Sequence, residues 1–109
     1  MALIVYDVAV EMIREIRPLI EQVGRHDKAL AGQLRRSASS VPLNIAEGAK
    51  SRGGNEFARY QDAAGSASET RSALQVAAAW GYIPEASRTS VDELLDRVVA
   101  MLYRLTHRG

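Results

Sequence analysis

The sequence predicts an all-α domain, an antiparallel up-down four-helix bundle, on three observations. Apolar residues recur at alternating spacings of three and four through four long segments, as helices with one buried face require. The breaks between these segments are short and rich in Gly, Pro and Asn, which favours antiparallel neighbours. No alternating strand pattern competes, and no internal repeat does. With 109 residues, 47% of them apolar, the expectation is one domain, residues 1–109, around one core. A chain of this size folds without staples but with a modest margin, so self-association is expected to help it.

The first helix is predicted over about residues 3–23, where Val5, Ala9, Met12, Ile16, Leu19 and Val23 form a seam widened by Ile13 and Ile20. Pro18 interrupts it, which predicts a kink or an Arg14 carbonyl left without its usual partner. Gly24 offers a stop. The second helix is predicted over 27–50, with Asp27 as N-cap and Leu30, Leu34, Ala38, Val41 and Ile45 on one side; Pro42 again predicts a kink. The run Ser51, Arg52, Gly53, Gly54, Asn55 is the strongest break. Asn55 is expected to cap a third helix over 55–80, with Glu56 in its first turn.

That third helix places Phe57, Tyr60, Ala64, Ala67, Leu74 and Ala78 along one stripe. Ala63, Ala64, Gly65, Ala67 and Ser68 mark either the closest helix crossing or a subunit contact. Arg71 falls on the side that otherwise reads as buried, and is expected to snorkel or to meet a partner subunit. Trp80, Tyr82 and Ile83 either close the core or form an exposed apolar patch. A fourth helix, predicted over 85–107, restores the seam with Val91, Leu95, Val98, Leu102 and Leu105, flanked by Leu94 and Met101. Ser90 and Glu93 have the spacing of a capping box, a competing start.

Several function classes are disfavoured by what the chain contains. It has no cysteine, so a disulfide framework and a thiolate metal site are ruled out, and a reducing, cytoplasmic setting is expected. The apolar start is interrupted by Asp7 and Glu11 and lacks the features of a signal peptide. The longest uncharged stretch, Ser72 to Pro84, is too short to span a bilayer, so no membrane partner is expected. His26 and His107 are the only histidines, neither lies three residues after a glutamate, and no phosphate-cradling glycine motif occurs. A non-enzymatic protein with no metal, cofactor or catalytic residue is the expectation.

Charge is unevenly placed. The net charge is +1, yet residues 25–52 hold six cations against two carboxylates while residues 1–24 are net acidic. Lys28, Arg35 and Lys50 share the side of the second helix opposite Leu34 and Ile45, and Arg52 and Arg59 extend the positive charge around the following turn. This face reads either as a phosphate-backbone contact for RNA or DNA, sensitive to shape and charge rather than base sequence, or as ordinary solvated surface. A polar strip, Arg36, Ser40, Asn44 and Glu47, occupies one edge of the same helix. It reads as a recognition pocket or, in preference, as a structural network in which Arg36 pairs with Glu47 or Glu69 and Asn44 bonds backbone freed by Pro42.

Residues 33–83, QLRRSASSVPLNIAEGAKSRGGNEFARYQDAAGSASETRSALQVAAAWGYI, carry a resemblance. Arg36, Ser40, Pro42, Asn44, Ile45, Ala46, Glu47 and Gly48, then Glu56 and Phe57, then Gly65, Ser66, Glu69 and Leu74 resemble the signature of a bacterial four-helix-bundle family. That family was first noticed in intervening sequences of large-subunit ribosomal RNA genes. Its members are similar to the accessory variability protein of diversity-generating retroelements. The resemblance implies a ring-like homopentamer, contact with RNA or DNA, a reverse transcriptase as partner, and supporting rather than catalytic roles for Arg36, Asn44, Glu47 and Glu69. The chain departs from the family pattern at Leu43, Thr70 and Arg71, where a small polar, an apolar and an acidic residue are usual; these changes are expected to thin the core around the third helix. A protein-interaction scaffold, recruiting a protein through apolar surface or through Glu11 and Glu15, is the alternative reading.

Overall fold

An apolar stripe on each of four long helices can leave water only by facing the other three, and that requirement sets the architecture. The computed structural model describes residues 2–107, with side chains from residue 4 onward; Met1, Arg108 and Gly109 lie outside the described residues. Helix α1 spans Ala2–Gly24, α2 Lys28–Lys50, α3 Gly53–Ala79 and α4 Thr89–Thr106. The last is preceded by a 3₁₀ turn, Glu85–Arg88. No strand occurs among the described residues, and the arrangement fits a four-helix bundle. Each helix packs on the next in chain order and α4 returns to α1, in a body of 44 × 22 × 19 Å.

One contiguous core runs the length of the bundle. Val5, Ala9, Met12, Ile16 and Val23 of α1, Leu34, Val41 and Ile45 of α2, Leu74 of α3, and Val91, Leu95, Val98 and Leu102 of α4 are all essentially sealed from solvent. Burying each of the Val, Leu, Ile and Met side chains contributes about 1.5–3 kcal/mol. The third stripe departs from its reading at one place. Phe57 is 48% exposed, because the face that α3 buries is centred on Tyr60, Ala63, Ala67, Thr70 and Leu74 and Phe57 falls on its edge.

Connections follow their local chemistry. Asp27 caps α2, its carboxylate accepting from the Leu30 N–H at 2.9 Å. After α2, the Ser51 hydroxyl donates to the Glu47 carbonyl at 2.8 Å and its N–H to Gly48. Helix α3 then starts at Gly53, whose φ of +59° favours glycine; Asn55 lies inside the helix rather than capping it. The α3 terminus is a Schellman motif: Gly81, φ +82°, donates to the Ala78 carbonyl and Tyr82 to that of Ala77. Residues 85–88 are helical but 3₁₀, and Ser90 reaches across to Glu15 at 3.1 Å instead of closing a capping box. Both α1 and α2 continue through Pro18 and Pro42. Pro18 lies on the solvent side, where water can reach the freed Arg14 carbonyl.

Of the glycines within the helices, Gly48 is the most closely packed. A Cβ there would lie 2.7 Å from Cδ1 of Tyr60, whose ring occupies the space over the glycine and which is 2% exposed. Further along the α2–α3 pair, Ser40 meets Ser66 at 3.0 Å and Ser37 meets Thr70 at 2.9 Å. No helix is long and apolar enough to cross a membrane among the described residues.

Candidate nucleic-acid interface

Helix α2 turns its core stripe toward α1 and α3, which leaves Lys28, Arg35, Arg36 and Lys50 exposed along its outer side. Arg52 in the turn and Arg59 in the second turn of α3 are exposed as well. From Lys28 to Lys50 the helix rises about 33 Å, comparable to one turn of a nucleic-acid duplex. Of these cations only Lys50 makes an ion pair among the described residues, with Glu47 at 3.7 Å and both side chains exposed. Lys28, Arg35 and Arg36 have no carboxylate three or four positions away on the helix, so none has an ion-pair partner within its own helix. Arg35 borders a groove between α1 and α2, lined also by Ile13, Ile16, Arg17, Ile20, Glu21 and Ser39. Arg36 lies over Gly32: a Cβ there would sit 3.3 Å from its Nη1. Leu43, 64% exposed, interrupts the charge midway.

The polar network differs in membership from the one read in the sequence. Arg36, Glu47 and Glu69 are exposed, and no ion pair joins Arg36 to either glutamate among the described residues, so these three lie outside it. The spacing places Arg36 and Glu47 toward solvent, where water competes with any pairing. Ser40 and Asn44 do belong: the Asn44 amide donates to the Ser40 carbonyl at 3.0 Å and to its hydroxyl at 2.9 Å. It does not serve the carbonyl freed by Pro42, which belongs to Ala38.

Across the helix boundary, the Ser66 hydroxyl donates to Ser40, and buried Thr70 and Ser37 stand 2.9 Å apart. Thr70 also lies 2.8 Å from the Ser66 carbonyl. A hydroxyl has one proton, so the two short contacts are both made when Thr70 donates to Ser66 and Ser37 donates to Thr70. Sequence reading missed Ser37 and Ser66. Their signal was available: on a helical wheel Ser37 falls on the apolar side of α2, where an unpaired hydroxyl is costly and a partner is required.

The two departures on α3 also find partners. Thr70 provides the buried tie just described. Within the chain Arg71 reaches α4: its Nη2 donates to the Asp92 carbonyl at 2.8 Å and to the Asp96 carboxylate. Arg88, only 14% exposed at its side chain, bonds Glu85 at 2.8 Å and Asp92 at 3.0 Å. His26 and His107 stack on Tyr82 and Tyr103 respectively. Among the described residues no group of three His, Asp or Glu is placed to hold a metal.

Comparisons with known proteins agree with this architecture. A crystal structure of a protein of unknown function from the S23 ribosomal protein family of Bacteroides thetaiotaomicron superposes with a TM-score of 0.86 at 21% identity, covering 94% of this chain and 98% of that one. At that identity the likeness concerns the fold. No curated protein matches the sequence. A family model described as 23S rRNA-intervening sequence protein matches residues 1–104, so the family pattern extends through α1 and α4, well beyond residues 33–83. The chain therefore belongs to the 23S rRNA-intervening sequence protein family.

Proposed function

We infer that this chain is a non-enzymatic accessory protein that binds the phosphate backbone of structured RNA through the outer side of α2 and the turn after it. One observation carries the reading: Lys28, Arg35, Arg52 and Arg59 are exposed and have no ion pair among the described residues, in a chain whose other arginines include several held by carboxylates. A face of this kind recognises charge and shape, and DNA of similar form would compete for it. The order of contacts between α2 and α3, 48 with 60, 40 with 66 and 37 with 70, supports an antiparallel course for that pair, and the short connections extend it to an up-down bundle. Assembly into a homopentamer, and service to a reverse transcriptase, complete the proposal; a ring would repeat one modest basic face and raise affinity by multivalency.

The test is fluorescence anisotropy of nuclease-treated protein with a labelled structured RNA and a duplex DNA at several salt concentrations. Binding is expected to weaken steeply with salt. Replacing Lys28, Arg35, Arg52 and Arg59 with Gln is expected to lower affinity at least about tenfold and to flatten the salt slope by roughly 0.7–0.9 for each phosphate no longer neutralised. Unchanged affinity in a variant with intact helical circular dichroism overturns the assignment of this face. A second reading, a scaffold for another protein, is favoured by Leu43, 64% exposed amid the cations. Absence of RNA binding even at low salt would select it.

A further inference from the structure

At the end of the bundle that holds the α1–α2 and α3–α4 connections, three rings lie nearly parallel. His26, from the first connection, stacks on Tyr82 with centroids 5.1 Å apart and planes 4° apart. Trp80, at the end of α3, is aligned with Tyr82 at 6.3 Å and 16°. The backbone fixes this alignment. Gly81 occupies the left-handed region, the Gly81 and Tyr82 amides are tied to the last carbonyls of α3, and Ile83 is anchored in the core at 2% exposure. The sole tryptophan of the chain is nevertheless 69% exposed. A hydrophobic contact that merely closed the bundle would have turned that ring inward. Held parallel to its neighbours instead, it presents a flat π-surface to solvent.

The charges beside the stack indicate what fits it. Arg25 and Lys28 bracket the His26 connection, both exposed and without an ion pair among the described residues. The one carboxylate between them, Asp27, is engaged by the Leu30 amide. A planar surface flanked by cations suits a planar group that carries anions on either side. We propose that this stack seats an unpaired base of single-stranded RNA, the base lying against Trp80 and its neighbouring phosphates held by Arg25 and Lys28. The seat deepens the RNA-binding reading above and rests on it: a duplex laid along α2 would place a bulged or terminal base at this end. Bases still paired within a duplex cannot offer a face to the ring, so the seat discriminates strandedness.

The single tryptophan makes the test direct. Intrinsic fluorescence of the full chain is followed while a short single-stranded oligoadenylate, and separately a blunt RNA duplex, is titrated in. The oligoadenylate is expected to quench Trp80 saturably and the duplex to bind without quenching. Trp80→Ala is expected to weaken oligoadenylate binding by about five- to one-hundred-fold while leaving duplex affinity within about twofold; Trp80→Phe, which keeps a π-face, restores most of the loss. Oligoadenylate binding with no change in fluorescence, or undiminished binding by Trp80→Ala, overturns the seat and leaves the α2 face standing. Quenching by oligoadenylate without duplex binding supports the seat and overturns the α2 face. Failure to bind either RNA overturns both. A change in subunit number on Trp80→Ala, read by sedimentation, overturns the seat in favour of a subunit contact.

Discussion

The arginines between α3 and α4 and the cations on α2 are the same chemistry under opposite conditions. Arg71 and Arg88 converge on Asp92, with Asp96 and Glu85 completing a chain of charges that ties α3, the 3₁₀ turn and α4 together. Arg88 Nε and Asp92 Oδ1 lie buried within it without a hydrogen bond, so the cluster depends on its remaining pairs. On α2, Lys28, Arg35 and Arg36 stand in water with no ion pair among the described residues. The difference originates in the sequence: residues 85–96 supply Glu85, Asp92, Glu93 and Asp96, whereas between Lys28 and Lys50 the only acid is Glu47. The first set ties elements of the fold together; the second is exposed and hydrated, with no ion pair among the described residues, and is accessible to a polyanion.

The contrast can be broken at its strongest point with Asp92→Ala, which strips Arg71 and largely buried Arg88 of a shared partner. Urea denaturation followed by circular dichroism is expected to show a loss of about 2–3 kcal/mol, most of it from leaving Arg88 with exposed Glu85 as its one remaining partner among the described residues. A loss below about 0.5 kcal/mol would mean that the cluster is ornamental and the two regions are alike. A neutral counterpart sharpens the comparison. Thr70→Val is expected to cost about 1 kcal/mol because Ser37 loses its buried partner, whereas adding Ser37→Ala recovers part of that, giving a coupling of about 0.5–1 kcal/mol in a double-mutant cycle. Additive losses would show that the two hydroxyls act separately. The smallest effect belongs to Glu47→Ala. Glu47 is exposed and pairs only with Lys50 among the described residues, so its removal is expected to change stability by less than about 0.5 kcal/mol, and a loss of several would mean it is buried against an arginine after all.

Much of the fold was legible because the period of the apolar residues is a property of the chain alone. Asp27 as N-cap, Gly24 and Gly81 as stops, and the seams of α1 and α4 could all be read from local chemistry. What eluded reading was set by neighbours. Phe57 keeps the right spacing for the α3 stripe, yet falls on the edge of the face that α3 buries, and period alone does not say how wide that face is. Asn55 is a good cap in isolation, but Gly53 can adopt the turn that starts α3 two residues earlier. The polar strip was half legible: Ser40 and Asn44 are joined through a local helical contact, whereas Arg36 and Glu47 were assigned partners by sign of charge, which water weakens on an exposed face. Arg71 was recognised as anomalous, and only the placement of α4 supplied its carboxylates. Lys28, Arg35 and Lys50 could be grouped on a helical wheel, with Arg52 and Arg59 added by the turn; which of the five are free of ion pairs among the described residues required the structure.

The close contact of Tyr60 on Gly48 bears on how the α2–α3 pair tolerates insertion and deletion. The two residues lie six positions either side of residue 54, and the ring fits only where no side chain stands beneath it. A slip of α3 along α2 would bring the ring toward Ile45 or Asn44, one turn back on the same face, each carrying the Cβ that the slot excludes. Length changes between Ser51 and Asn55 must therefore bulge outward as loop rather than slide one helix along the other. The bare backbone at a single residue acts as an index mark for the whole α2–α3 pair, and through it for the spacing of Arg52 and Arg59 from the cations of α2.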